Sequence, residues 1–121
     1  VNVVLDTDLP EGRPVGRAIS DGQRELPVIL LRDRTGVRAW LNSCPHAGVR
    51  LDWRPDDFLD HTGTWLLCSM HGALFELAGG RCVAGPCRGS RLVEIGRCAA
   101  DAAQLEIRDV ERLPSRAYAI R

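Results

Sequence analysis

The sequence predicts a small, all-β antiparallel domain. Two observations carry that expectation. Short apolar runs recur between turn-forming residues. No stretch except an alanine-rich segment near residue 100 favours helix.

In chain order, Pro27-Val28-Ile29-Leu30-Leu31 is a continuous apolar run that suits a buried strand. Asp33-Arg34-Thr35-Gly36 carries turn residues and Val37 to Leu41 resumes as a strand, so the pair reads as a hairpin. It delivers the chain into CPHAG at 44–48. Thr64 to Leu67 reads as another strand and leads into CSMHG at 68–72. Leu74 to Leu77 and Cys82-Val83 flank Ala78-Gly79-Gly80-Arg81, a second hairpin. Leu92 to Ile95 reads as a strand, and Leu105-Glu106-Ile107-Arg108 alternates apolar and polar residues. Two places are open. A helix from about Cys98 to Arg112 competes with the last strand on alanine propensity, and residues 52–61, DWRPDDFLDH, suit a loop or a single helical turn.

The chain has 121 residues, 45% of them hydrophobic, which fits one domain over 1–121 with a real core and little disorder. Sixteen basic and sixteen acidic residues cancel, which argues against nucleic acid or an anionic membrane as the main partner. All the basic residues are Arg; Lys is absent. No apolar run approaches a membrane span, and Val1 opens no basic-then-apolar leader. Five cysteines, an odd number, fit no obvious disulfide framework, so a cytoplasmic protein with reduced thiols is expected.

The chemistry lies in two cysteine–histidine pairs: Cys44 with His46, and Cys68 with His71. Where the backbone bends around a site, both members of a pair can point into it. Two pairs offer two sulfur and two nitrogen ligands. Zinc accepts that set as a tetrahedron. A 2Fe–2S cluster accepts it when two cysteines hold one iron and two histidines the other. The usual zinc hairpins pair like with like; here each loop carries one of each kind, which suits two unlike irons.

Cys44-Pro45-His46 with Gly48, Cys68-Ser69-Met70-His71-Gly72 with Phe75, and Gly80 with Gly85-Pro86 together resemble the Rieske 2Fe–2S domain. The resemblance implies a β-sandwich or barrel with a two-loop cluster-binding subdomain. The loops would lie at about 43–50 and 67–75, with a third, shielding loop at about 84–88. It implies Cys44 and Cys68 on the inner iron, and His46 and His71 on the outer one. Twenty-one residues, 47 to 67, separate His46 from Cys68, more than is usual in the family, and the excess falls in residues 52–61.

Relatives in respiratory complexes carry a disulfide between the two loops, but Val49 and Met70 stand at those positions here. They also carry hydroxyl donors to the cluster where this chain has Ala73 and Phe75. Reduction adds negative charge, and donors aimed at sulfur stabilise it. Without them the expected potential falls toward the lower part of the Rieske range, about −150 to +300 mV.

Other residues read more plainly. Cys82 and Cys87 are expected to be small, partly buried thiols rather than a redox pair. Cys98 reads as filler, His61 as exposed, and Trp40 and Trp65 as core packing. Trp53 and Phe58 suit either a cluster cover or a docking patch. Asp52, Asp56, Asp57 and Asp60 read as a solvated acidic run, with steering of a basic partner as the alternative.

The resemblance implies a ferredoxin-like electron carrier, not an enzyme, between an NAD(P)H-dependent flavoprotein reductase and a terminal oxygenase. Rival readings are an accessory subunit like that of nitrite reductase, a cluster-based redox sensor, and a zinc-binding module. The chain is too short to add a catalytic mononuclear-iron domain.

Overall fold

The computed structural model describes residues 2–4, 9–20, 25–45, 50–52, 54–69 and 72–106. These residues form nine strands: β1 (Asn2–Val4), β2 (Val15–Ser20), β3 (Glu25–Asp33), β4 (Gly36–Leu41), β5 (Trp65–Leu67), β6 (Leu74–Glu76), β7 (Cys82–Ala84), β8 (Glu94–Cys98) and β9 (Gln104–Glu106). They make a four-stranded sheet in the order β2-β3-β4-β8, a three-stranded sheet β5-β6-β7 and a two-stranded sheet β1-β9. Every strand pairing is antiparallel. The all-β expectation holds.

The apolar run of β3 has a direct explanation: Leu26 to Leu31 are buried on both faces of the sheet. Successive strand residues point to opposite sides. Leu26, Val28 and Leu30 join one core with Val15, Ile19, Val37, Ala39, Leu41, Ile95 and Leu105. Ile29 and Leu31 join a second core with Trp40, Leu51, Phe58, Leu66, Phe75 and Leu92. Each fully buried side chain of this size contributes about 1.5–3 kcal/mol. A one-residue shift would exchange the residues facing the two cores. At the β3–β4 turn, the Asp33 carboxylate accepts hydrogen bonds from Thr35 N at 2.8 Å and from Thr35 Oγ1 at 2.6 Å.

The segment from 42 to 93 runs between two neighbouring strands of the four-stranded sheet, β4 and β8. It contains both cysteine–histidine loops and the small sheet β5-β6-β7.

One strand is displaced from its expected position, and the two open places are decided, each for a physical reason. The strand expected at 92–95 is displaced to Glu94–Cys98. Leu92 N donates to Gly80 O at 2.8 Å, and Val93 O accepts from Leu41 N at 2.8 Å, so these residues tie loops to the sheet instead. The alanine-rich stretch is a turn, with Ala102 N donating to Ala99 O at 3.1 Å, and β9 pairs with β1. Non-local pairing has overridden local helix propensity there. Residues 52–61 form no helix among those described. Asp57 N closes a turn on Arg54 O at 3.0 Å, and Leu59 then bridges to Leu66 beside β5.

Candidate metal centre

β4 ends in a backbone held on both sides: Leu41 N donates to Val93 O, and Asn42 N to Pro27 O, each at 2.8 Å. Cys44 follows two residues later and is 0% exposed. Asn42, buried at 3%, spans the loop that follows. Its Nδ2 donates to Asp52 Oδ1 at 2.8 Å, and its Oδ1 accepts from Leu51 N at 2.8 Å. The other Asp52 oxygen accepts from Asp56 N at 3.2 Å. A buried polar pair is tolerated only when its hydrogen bonds are made. Here they pin both ends of the first loop. His46 and Val49 lie outside the described residues.

The second loop is the turn between β5 and β6, whose register pairs Leu67 with Leu74. Cys68 N donates to Ala73 O at 2.9 Å, and Gly72 N returns to Cys68 O at 2.8 Å. Cys68 is 0% exposed. Ser69 N donates to Leu51 O at 3.1 Å, so the second loop is fastened to the end of the first. Met70 and His71 lie outside the described residues.

The third segment, after β7, closes over the second. Gly85 has φ +97°, and a Cβ there would sit 2.7 Å from the Ala73 Cα. Only glycine lets this backbone press so close. Gly80, at φ +71°, does the same beneath the site: a Cβ would meet Trp40 Nε1 at 2.8 Å. Gly72, Gly85 and Pro86 are exposed, so the second and third loops reach the surface together.

Cys44 and Cys68 belong to one buried cluster with Ala73, Phe75, Cys82 and Cys87. None of the five cysteines is in a disulfide. Burial, then its hydrogen bond with Cys82, pushes the Cys87 thiol up to about 11, while a hydrogen bond with Cys44 acts in the opposite direction. Among the described residues no three His, Cys, Asp or Glu side chains form a metal-holding group. Of the two cysteine–histidine pairs, the described members are the two cysteines. Two buried thiols at the mouths of two mutually fastened loops fit the thiolate ligation that an iron–sulfur cluster needs.

The family model described as the Rieske [2Fe-2S] domain matches residues 1–110. The chain belongs to the Rieske family. A Rieske domain carries a Rieske-type 2Fe–2S cluster, and its role is electron transfer. Over 85 residues the chain is 39% identical to "Oxidoreductase NdmD" of Pseudomonas putida. That alignment takes in 69% of this chain and 13% of the relative, so the chain matches only a small part of that protein. No solved structure matches it significantly.

Within this Rieske domain the residues flanking the cysteines divide by role. Ala73 and Phe75 are both 0% exposed, and neither brings a hydroxyl. Phe58, open in sequence between cover and docking patch, is a core residue at 1% exposure. Trp53 lies outside the described residues. The acidic run is not uniformly solvated. Asp52 is the buried brace, Asp56 Oδ1 accepts from Gly16 N at 2.7 Å, and Asp60 Oδ1 accepts from Thr64 N at 3.1 Å. Asp57 and His61 are exposed. Trp40 is fully buried and Trp65 half-buried, while Cys98 packs partly buried against the first core. No described helix is long and apolar enough to cross a membrane.

The role of Asn42 escaped the sequence reading. Its signal was faint: one Asn directly after an apolar strand, ten residues before an Asp in a loop rich in Asp.

Proposed function

We propose that this chain is a ferredoxin-like one-electron carrier whose cluster is held by Cys44 and Cys68 on one iron and by His46 and His71 on the other. A single domain over 1–121 would present these ligands on loops at about 43–50 and 67–75, with 84–88 as the shield. The observation that carries the reading is the burial of Cys44 and Cys68 at the start of two loops fastened to each other, in a chain of the Rieske family.

When bound, the cluster supplies reversible one-electron chemistry. The protein's own work is to exclude water and hold the ligands. Leu51, Phe58, Leu66 and Phe75 supply an apolar surround. Gly85 brings backbone against Ala73 where a side chain would stand it off. Ala73 and Phe75 withhold hydroxyl donors, which keeps the potential in the lower part of the range of about −150 to +300 mV. Ala73→Ser should raise the midpoint, and a wild-type midpoint near the top of that range would contradict the reading.

The donor in this reading is an NAD(P)H-dependent flavoprotein reductase and the acceptor a terminal oxygenase, in the cytoplasm. The carrier does no substrate chemistry. A second reading has the module serve as the electron-carrying part of a longer oxidoreductase. The match to 13% of a relative of that name favours it.

Electron paramagnetic resonance of the dithionite-reduced protein, with iron and acid-labile sulfide analysis, is the test. Equal iron and sulfide and an average g below that of all-cysteine clusters are expected. Colourless, zinc-loaded protein would sink the proposal. Stopped-flow reduction by a flavoprotein reductase, followed by reoxidation on an oxygenase, tests the partners.

A further inference from the structure

Two cysteines that the proposed ligand set does not use lie side by side. Cys82 is the first residue of β7, and Cys87 lies five residues on, past the exposed Gly85-Pro86 corner. Their sulfurs are 2.9 Å apart, with the Cys87 thiol donating to Cys82 Sγ. A disulfide bond is about 2.05 Å long, so less than about 1 Å of approach separates contact from bond. The backbone already holds the pair in place. Cys82 N donates to Ser90 O at 2.8 Å, Gly89 N to Cys82 O at 3.2 Å, and Ser90 N to Cys87 O at 2.9 Å. A ring closed between 82 and 87 would therefore follow a turn that hydrogen bonds have already formed.

We propose that Cys82 and Cys87 are an oxidisable dithiol, a site of reversible disulfide formation whose oxidant is a low-molecular-weight disulfide. One of the two, as its thiolate, attacks a sulfur of the small disulfide. That S–S bond breaks, a mixed disulfide forms, and the first small thiolate leaves and takes up a proton. The second cysteine loses its proton and attacks the protein-side sulfur, expelling the other small thiol. Two electrons and two protons pass in all from the dithiol to the small disulfide.

Burial sets the terms of access. Cys82 is 2% and Cys87 6% exposed, so the closed protein shields both. Gly85, Pro86, Arg88 and Gly89 between and beside them are exposed, and lifting this corner uncovers the pair without unpairing the four-stranded sheet. Burial and protonation slow the exchange; the short separation favours its product. Cys98 has a different setting: it lies against the other core.

The site does not depend on the electron-carrier reading, and the test separates the two. The protein as purified is equilibrated in glutathione buffers of increasing glutathione disulfide content, quenched in acid, denatured and alkylated with N-ethylmaleimide. Intact mass should move from five adducts, one for each cysteine, to three. Peptide mapping should recover a Cys82–Cys87 link. Cys98→Ser should lower both adduct counts by one and keep the link. Cys82→Ser and Cys87→Ser should each stop at a mixed disulfide. Five adducts at every buffer ratio would overturn the proposal. So would a link from Cys87 to Cys44, its other hydrogen-bond partner. Visible absorption of the same samples reports the cluster separately, so colourless protein that forms the Cys82–Cys87 link would count against the carrier and for the dithiol.

Discussion

The two cores of this domain are built by different means. The one built from β2, β9 and one face of β3 and β4 is almost wholly aliphatic: Leu, Val and Ile supply it, and strand alternation fixes its order. The one beneath the loops mixes aromatics and four cysteines, and its three local strands have three residues each. Strands so short cannot fix loop positions by pairing alone. The second region makes up the difference with Asn42–Asp52, with the Asp60 turn and with glycines that admit close backbone contact. One region is set by volume and the other by polar and steric detail, so the two should fail differently.

The largest effects should come from volume. Phe58→Ala removes a fully buried ring and should cost about 3–5 kcal/mol, with Leu26→Ala in the other core at about 2–5 kcal/mol. Chemical denaturation measures both. Only Phe58→Ala should also lower iron content at temperatures where the protein stays folded, and equal iron loss in the two variants would erase the contrast.

Gly85→Ala comes next. Its Cβ meets backbone at 2.7 Å, and its φ of +97° disfavours any L side chain. The third loop must lift from Ala73, so cluster half-life should fall more steeply than melting temperature. Absorbance decay against a chelator, set beside circular dichroism, reads the split.

Asp52→Ala should be milder. It leaves the buried Asn42 amide without its acceptor, at a cost of about 1–3 kcal/mol. Asp52→Asn should recover part of that, since one amide oxygen can still accept. Denaturation midpoints that do not separate the two variants would show that neither the hydrogen bond nor the volume matters there, leaving the lost carboxylate charge beside Arg50 as the cause.

The smallest effect belongs to the aliphatic region's surface. Hydrogen bonds from Thr35 and the nearby Arg38 hold the Asp33 carboxyl below the usual carboxylate range. Its stabilisation is thus present above the ordinary carboxylate value and fades as pH falls through the lowered one. Asp33→Asn should flatten that acid limb slightly, and added salt should shrink the difference because the side chain is 34% exposed. An unchanged limb would remove Asp33 from the account.

The same contrast explains what was legible in the sequence. β3 and β4 could be read because a doubly buried run and a turn carrying Asp33 and Gly36 are local signals. The two cysteine positions could be read because their spacing is itself chemical. β2 was not singled out: Gly16 and the exposed Arg17 and Ala18 blur its alternation at a sheet edge. β1 and β9 pair across the length of the chain: the alternation at 105–108 marks β9 against a competing helix propensity, while β1 carries no such signal. Asp52 looked like one more solvated acid because nothing local says that Asn42 lies under it.

The Asn42–Asp52 hydrogen bond bears on how the holoprotein matures. It draws together the two ends of a ten-residue span using protein groups alone. The entropy of closing that span is lost while the chain folds, not when inorganic material arrives. A cluster-donating assembly factor would then meet a receptor whose loop ends are already set, and delivery would need less rearrangement of the recipient. Asn42 and Asp52 are not among the proposed ligands, yet they would govern how fast the apoprotein becomes the holoprotein.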